Sequence, residues 1–124
     1  MNDSILTSVK KILGITEEYT HFDDALIMHI NTVLMALTQM NIGNKQYFRI
    51  EDADATWADF ISDKIDIDAV KTYVALRVKL IFDPPQSSTH LQAIQETIKE
   101  CEWRMYISDS SENFIVKEYQ IKWE

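Results

Sequence analysis

The sequence predicts an all-α fold: a compact bundle of four to five helices with two long central helices, followed by an extended C-terminal arm. Three observations predict it. The 124 residues are 46% hydrophobic yet include only two glycines and two prolines, which suits packed helices with few tight turns. Apolar residues recur at helical spacing through most of the chain. Strand-like alternation is confined to residues 117–124. A chain of this length forms one domain and buries roughly two thirds of its unfolded surface. The expected organisation is a helical domain over 1–111 and an arm over 112–124.

Ile5, Val9 and Ile12 make the stripe of a first helix over residues 3–13, and Gly14 supplies its stop. The second helix is expected from Thr20 to about Met40, with Asp23 in its first turn and Gly43 ending it. From Ala25 to Asn44 there is no Lys, Arg, Asp or Glu. Phe22, Leu26, Ile30, Val33, Leu37 and Met40 fall within about 80° of one another on a wheel turning about 100° per residue. Ile27 and Leu34 lie on one flank, and Met28 and Met35 on the far side. A helix apolar nearly all round belongs in the middle of a large core. A domain this small has few such places, so another subunit is expected to cover part of it.

Residues 43–53 read as a loop, and a short helix is expected from Asp54 or Ala55 to about Ser62, with Trp57, Phe60 and Ile61 on one side. The helix over 66–82 begins with acids, which its macrodipole favours, and Val70, Val74, Val78 and Ile81 form one face. Asp83-Pro84-Pro85 stops it, because proline lacks a donor and forces its predecessor out of the α region. Arg77 falls between Val70, Tyr73 and Ile81 on the apolar side. A cation there needs a carboxylate partner, in this chain or a neighbour, and the 51–68 segment is the nearest source. Arg77, Met28 and Met35 are therefore candidates for a subunit interface, or Arg77 for a buried ion pair.

Ser87 or Ser88 can cap the last helix, expected to run to about Ile107. Its stripe of Leu91, Ile94, Ile98, Cys101 and Met105 suits antiparallel packing against the preceding helix. Trp103 and Ile107 lie on the opposite face among Glu96 and Glu100, where they form a contact site or lie under the folded-back tail. In the tail, Tyr119, Ile121 and Trp123 alternate with Glu118, Gln120, Lys122 and Glu124. That is the pattern of a half-buried strand, yet no second strand of comparable quality exists to pair with it. Its aromatics either add to a partner's sheet edge or lie on the chain's own helices. Trp103, Ile107, Tyr119, Ile121 and Trp123 are the candidate partner-binding residues.

No catalytic, cofactor-binding or metal-binding residues are expected. Two glycines cannot build a phosphate cradle of the glycine-rich kind. Ser87, Ser88 and His90 sit in capping territory, without a nucleophile elbow. His21 and His29 are not spaced as a metal pair on one helix face. The acidic run of Glu51, Asp52, Asp54, Asp59, Asp63, Asp66 and Asp68 contains Trp57 and no glycine, which rules out an EF-hand loop. These carboxylates read as a solvated face and helix caps.

A lone Cys101 cannot form an intrachain disulfide, so a reducing cytoplasm suits it as a small core residue. No apolar run approaches the roughly 20 residues that span a bilayer, and the first residues lack the basic region and cleavage site of a secretory signal. The net charge of −8 argues against affinity-driven nucleic-acid binding, which needs clustered cations. The same charge serves solubility, or a conduit wall that phosphates pass without sticking.

Thr20-His21-Phe22-Asp23, His29-Ile30-Asn31, Ala55-Thr56-Trp57-Ala58-Asp59-Phe60 and the block over 66–88 together resemble the head–tail connector (adaptor) proteins of long-tailed double-stranded DNA bacteriophages. The resemblance covers residues 3–107 and lies in packing residues and a turn. It implies a structural, non-enzymatic subunit of a ring, a dodecamer in the virion, that attaches beneath the portal after DNA packaging and continues the DNA channel to the tail. The implied partners are other copies of the chain, the portal protein and a tail-side connector or stopper protein, with DNA only as passing cargo and no membrane. The implied location is the head–tail junction of the virion, and the bacterial host cytoplasm during assembly. The rival is a small acidic helical adaptor or regulator that binds one protein partner through Trp103 and the tail.

Overall fold

A computed structural model describes residues 2–43, 48–62 and 65–110. The all-α expectation is met: among the described residues five helices run in the order α1 (Ile5–Leu13), α2 (Asp23–Gln39), α3 (Trp57–Phe60), α4 (Ile67–Phe82) and α5 (Ser88–Ser110). Among the described residues there is no sheet, only an isolated antiparallel bridge between Ser4 and Thr56. The hub is α4, which packs against α1, α2 and α5. It can do so because Ala69, Val70, Tyr73, Val74, Ala75 and Val78 bury more than one side of it.

Several helix ends have a local cause. Ser4 Oγ accepts the Thr7 N–H to start α1. Gly14 ends it at φ 81°, and Ile15 N–H closes on Lys10 O at 2.8 Å in a Schellman arrangement. Asp66 caps α4 through Ala69 N–H, and Asp83 before the prolines terminates it. Ser87 Oγ accepts from His90 N–H at the start of α5. Asp66 N–H in turn donates to Ser108 Oγ at 3.1 Å, which ties the end of α5 to the start of α4 and sets the pair antiparallel.

Several expected boundaries shift. The second helix begins at Asp23 rather than Thr20, because the carbonyls of Glu17 and Tyr19 turn inward to a lysine ammonium and the chain cannot wind there. It ends before Gly43: Asn41 takes the left-handed turn at φ 66°. Gly43, at φ 115°, is needed for close approach, since a Cβ there would lie 2.7 Å from the Phe60 ring. The short helix shrinks to one turn. Asp59 accepts the Thr56 N–H to begin it, and Ile61 goes extended to reach the core.

The stripes also rotate. In α1 the buried set is Ile5, Leu6, Val9 and Lys10, leaving Ile12 49% exposed. In α2, Leu34 joins Leu26, Ile30, Val33 and Leu37 in the core, while Phe22 and Met40 stay exposed. Ile81, one turn from the Pro-Pro stop, runs past the end of the packed interface and is exposed as well. Ile94, Ile98, Cys101 and Met105 of α5 are buried as expected.

Candidate functional site

Polar anchors hold the loops that shape the surface. Lys10, 2% exposed, places its ammonium 3.0 Å from Glu17 O, 2.8 Å from Tyr19 O and 2.8 Å from Asp23 Oδ1. The ammonium donates to the two carbonyls and is ion-paired with the carboxylate, which is what makes burial of a lysine tolerable. The loop so gathered presents a chain of aromatic rings: Tyr19 lies tilted against His21 and Phe22, His21 meets Phe22 edge-on, and Phe22 meets Phe82 of α4 edge-on. On α2, Asn31 grips the 48–50 segment with both ends of its amide: Oδ1 accepts from Ile50 N–H at 2.7 Å, and Nδ2 donates to Ile50 O at 2.9 Å. Trp57 Nε1 donates to Ser8 Oγ, fixing α3 on α1. Asp3, ion-paired with Lys71 at 2.8 Å, has its carboxyl held down at about 2, chiefly by that hydrogen bond. Sequence reasoning missed Lys10 and Asn31. The available signal for Lys10 was its position one turn after Leu6, with Asp23 the first acid beyond the loop.

The acidic segment supplies caps and a turn. Besides the Asp59 and Asp66 caps, Asp52 Oδ1 accepts from Asp54 N–H. Among the described residues no group of three or more His, Cys, Asp or Glu could hold a metal ion. Burial pushes the Cys101 thiol above its usual range, so its sulfur stays protonated. Burial also raises the Tyr73 phenol, against the opposing pull of the Arg77 charge.

What remains for function is surface. Met28 is 62% and Met35 45% exposed on the outer face of α2, where with Ile27, Asp24, Thr32 and Arg49 they line an open groove of about 700 Å³. A second groove of about 580 Å³ runs between α4 and α5, with Arg77, Leu80, Ile81, Ile98, Lys99 and Glu102 in its walls. Among the described residues Arg77 finds no carboxylate for the expected ion pair. Its guanidinium donates to Tyr73 Oη at 3.4 Å and lies 5.6 Å from that ring's centroid, and none of the carboxylates among the described residues comes within ion-pair distance. The reason is geometric: Asp52 is engaged in a turn and Asp59 as a cap beside the end of α1, and Asp66 is a cap about three turns from Arg77. Trp103 is 45% exposed and meets Tyr106 edge-on, with Ile107 half-buried beside them. The expected strand with Tyr119, Ile121 and Trp123 lies outside the described residues.

The chain matches the family model described as phage connector protein over residues 5–112. It belongs to that family. The match takes in all five helices, both grooves, Trp103 and Ile107, but not the segment holding Tyr119, Ile121 and Trp123. A phage connector is a structural component of the virion that assembles with other phage structural proteins such as the portal. Comparison with curated proteins and with solved structures finds no match. No helix among the described residues of this connector is long and apolar enough to cross a membrane.

Proposed function

We propose that this connector protein is the repeating subunit of a head–tail ring that attaches beneath the portal and continues the DNA channel toward the tail. The observation that carries the proposal is the outer face of α2, where two large methionine side chains stand in solvent on a helix without charge after Asp24. Apolar surface of that kind is stabilised by contact with another protein surface, and thioether side chains adapt to an imperfectly matched partner. A domain in family with the connectors and with surplus apolar surface fits self-association around the portal. The net charge of −8 fits a channel wall from which DNA slides free. The arm over 112–124, with Tyr119, Ile121 and Trp123, is assigned to the portal or tail-side partner together with Trp103 and Ile107. Each copy then engages its partner separately, and many weak contacts add up around the ring.

Cryo-electron microscopy of particles assembled with the cognate portal tests the assignment. A closed ring of this chain below the portal is the expected result. A single copy per particle, or a position away from the head–tail junction, would overturn it. Deleting residues 119–124 should leave the fold intact and sharply weaken attachment, measured by co-sedimentation with portal-bearing heads.

A further inference from the structure

A closed ring is built from heterologous contacts, in which one patch of each copy meets a different patch of the next. The two grooves are such a pair of patches. One lies on α2 and the other between α4 and α5, so a single copy presents both at once. Each has an apolar floor, Ile27, Met28 and Met35 in one and Leu80, Ile81 and Ile98 in the other. Their charges are opposite in sign where it matters. Asp24 lines the first groove and has no ion-pair partner among the described residues. Arg77 and Lys99 line the second. Arg49 and Glu102 offer a second pair of opposite sense.

Arg77 makes the case specific. A guanidinium carries five donors in a fork that matches a carboxylate. Among the described residues this one has a single long bond, to a phenol, and a ring face beside it. The half-buried stem holds the fork at the groove, without a carboxylate among the described residues.

We infer that the α2 groove of one copy seats on the α4–α5 groove of the next, with Asp24 of the first facing Arg77 of the second. The inference rests on the ring assignment above and names the surfaces that build it. Met28 and Met35 enter the groove floored by Leu80, Ile81 and Ile98, and the Asp24–Arg77 pair fixes the register, as interfacial charges do.

Site-directed cross-linking decides it. Met28→Cys and Ile81→Cys replace side chains that are 62% and 49% exposed, so neither disturbs the core. Cys101 is buried, and the unmodified protein is the control for it. With the doubly substituted chain assembled on portal-bearing heads, a short flexible bis-maleimide should give a ladder of covalent multimers, while either single variant stays uncross-linked. Self-cross-linking of Met28→Cys alone would mean a two-fold contact between α2 faces and would overturn the pairing. A ring visible by cryo-electron microscopy with no ladder would also overturn the pairing, while leaving the ring in place. Particles with one copy would overturn both. A charge exchange tests the register: Asp24→Arg, at an exposed position, should weaken assembly about tenfold, and adding Arg77→Asp should restore it. A double variant no better than the single one refutes the Asp24–Arg77 contact, provided circular dichroism shows both folded.

Discussion

Two cations of this connector sit on the apolar side of a helix, and they have opposite fates. Lys10 of α1 is buried almost completely and meets three oxygens, two of them backbone carbonyls from the loop that wraps it. Arg77 of α4 is half-buried and, among the described residues, has only the Tyr73 phenol and ring. The contrast teaches that wheel position alone does not say whether a charge is structural. A compact ammonium can be enclosed by a loop that bends around it, whereas a planar fork at the edge of a groove keeps its binding directions open. The α1–α2 corner is a finished interior, and the α4–α5 groove is open surface.

The largest expected effect comes from breaking the finished corner. Lys10→Met removes the ammonium and leaves Asp23 and two inward-turned carbonyls without their donor. The cost should be about 3 kcal/mol, in the range for breaking a buried pair from one side. Urea unfolding measures it, and a loss below about 1 kcal/mol would show that water replaces the ammonium without penalty.

Asn31→Ala comes next. It strips two hydrogen bonds from Ile50, whose own side chain is buried, and should cost about 2 kcal/mol. Amide exchange at Ile50 should accelerate much more than exchange in α4, because only the 48–50 segment loses its tether.

Arg77→Met gives the other side of the comparison. The isolated subunit should change by no more than about 1 kcal/mol, the scale of a cation–ring contact at a partly exposed site. A loss of about 3 kcal/mol or more would place Arg77 in the same class as Lys10 and erase the distinction.

The smallest effect is confined to acid. With its carboxyl held at about 2 against an ordinary 3.8, Asp3 stays ionised in the folded state where the unfolded chain has already taken up a proton. Its contribution is therefore complete above about pH 4 and is lost as pH falls toward 2. Asp3→Asn should flatten the stability profile across that window and leave neutral pH nearly unchanged, because the Lys71 pair is solvent-exposed. An unaltered acid limb would show that Lys71 does not hold Asp3 in solution.

Much of the fold is legible in the linear chain because helix signals are local. Gly14, the Asp66 cap, the Asp83-Pro84-Pro85 stop and the Ser87 cap each act within a few residues, and each appears where it was expected. The stripe of Ile94, Ile98, Cys101 and Met105 is legible for the same reason, since a single periodic face decides it. So is the surplus of α2, where Met28 and Met35 stand out because no charged residue follows Asp24 in that helix.

The tertiary structure decided what depends on distant residues. Which of Ile12 and Lys10 is buried on α1 depends on where the 16–22 loop brings its carbonyls and Asp23, and no local rule fixes that. Asn31 acquires its role from a segment 19 residues away, and Gly43 from the ring of Phe60. Arg77 meets no carboxylate among the described residues, where Asp59 and Asp66 are engaged as caps and Asp52 in a turn. The sequence by itself determined which segments are helical and where surplus apolar surface lies, because both follow from neighbours along the chain. Three-dimensional packing alone decided which polar groups are enclosed and which remain open to a partner, because desolvation is set by whatever the fold brings near.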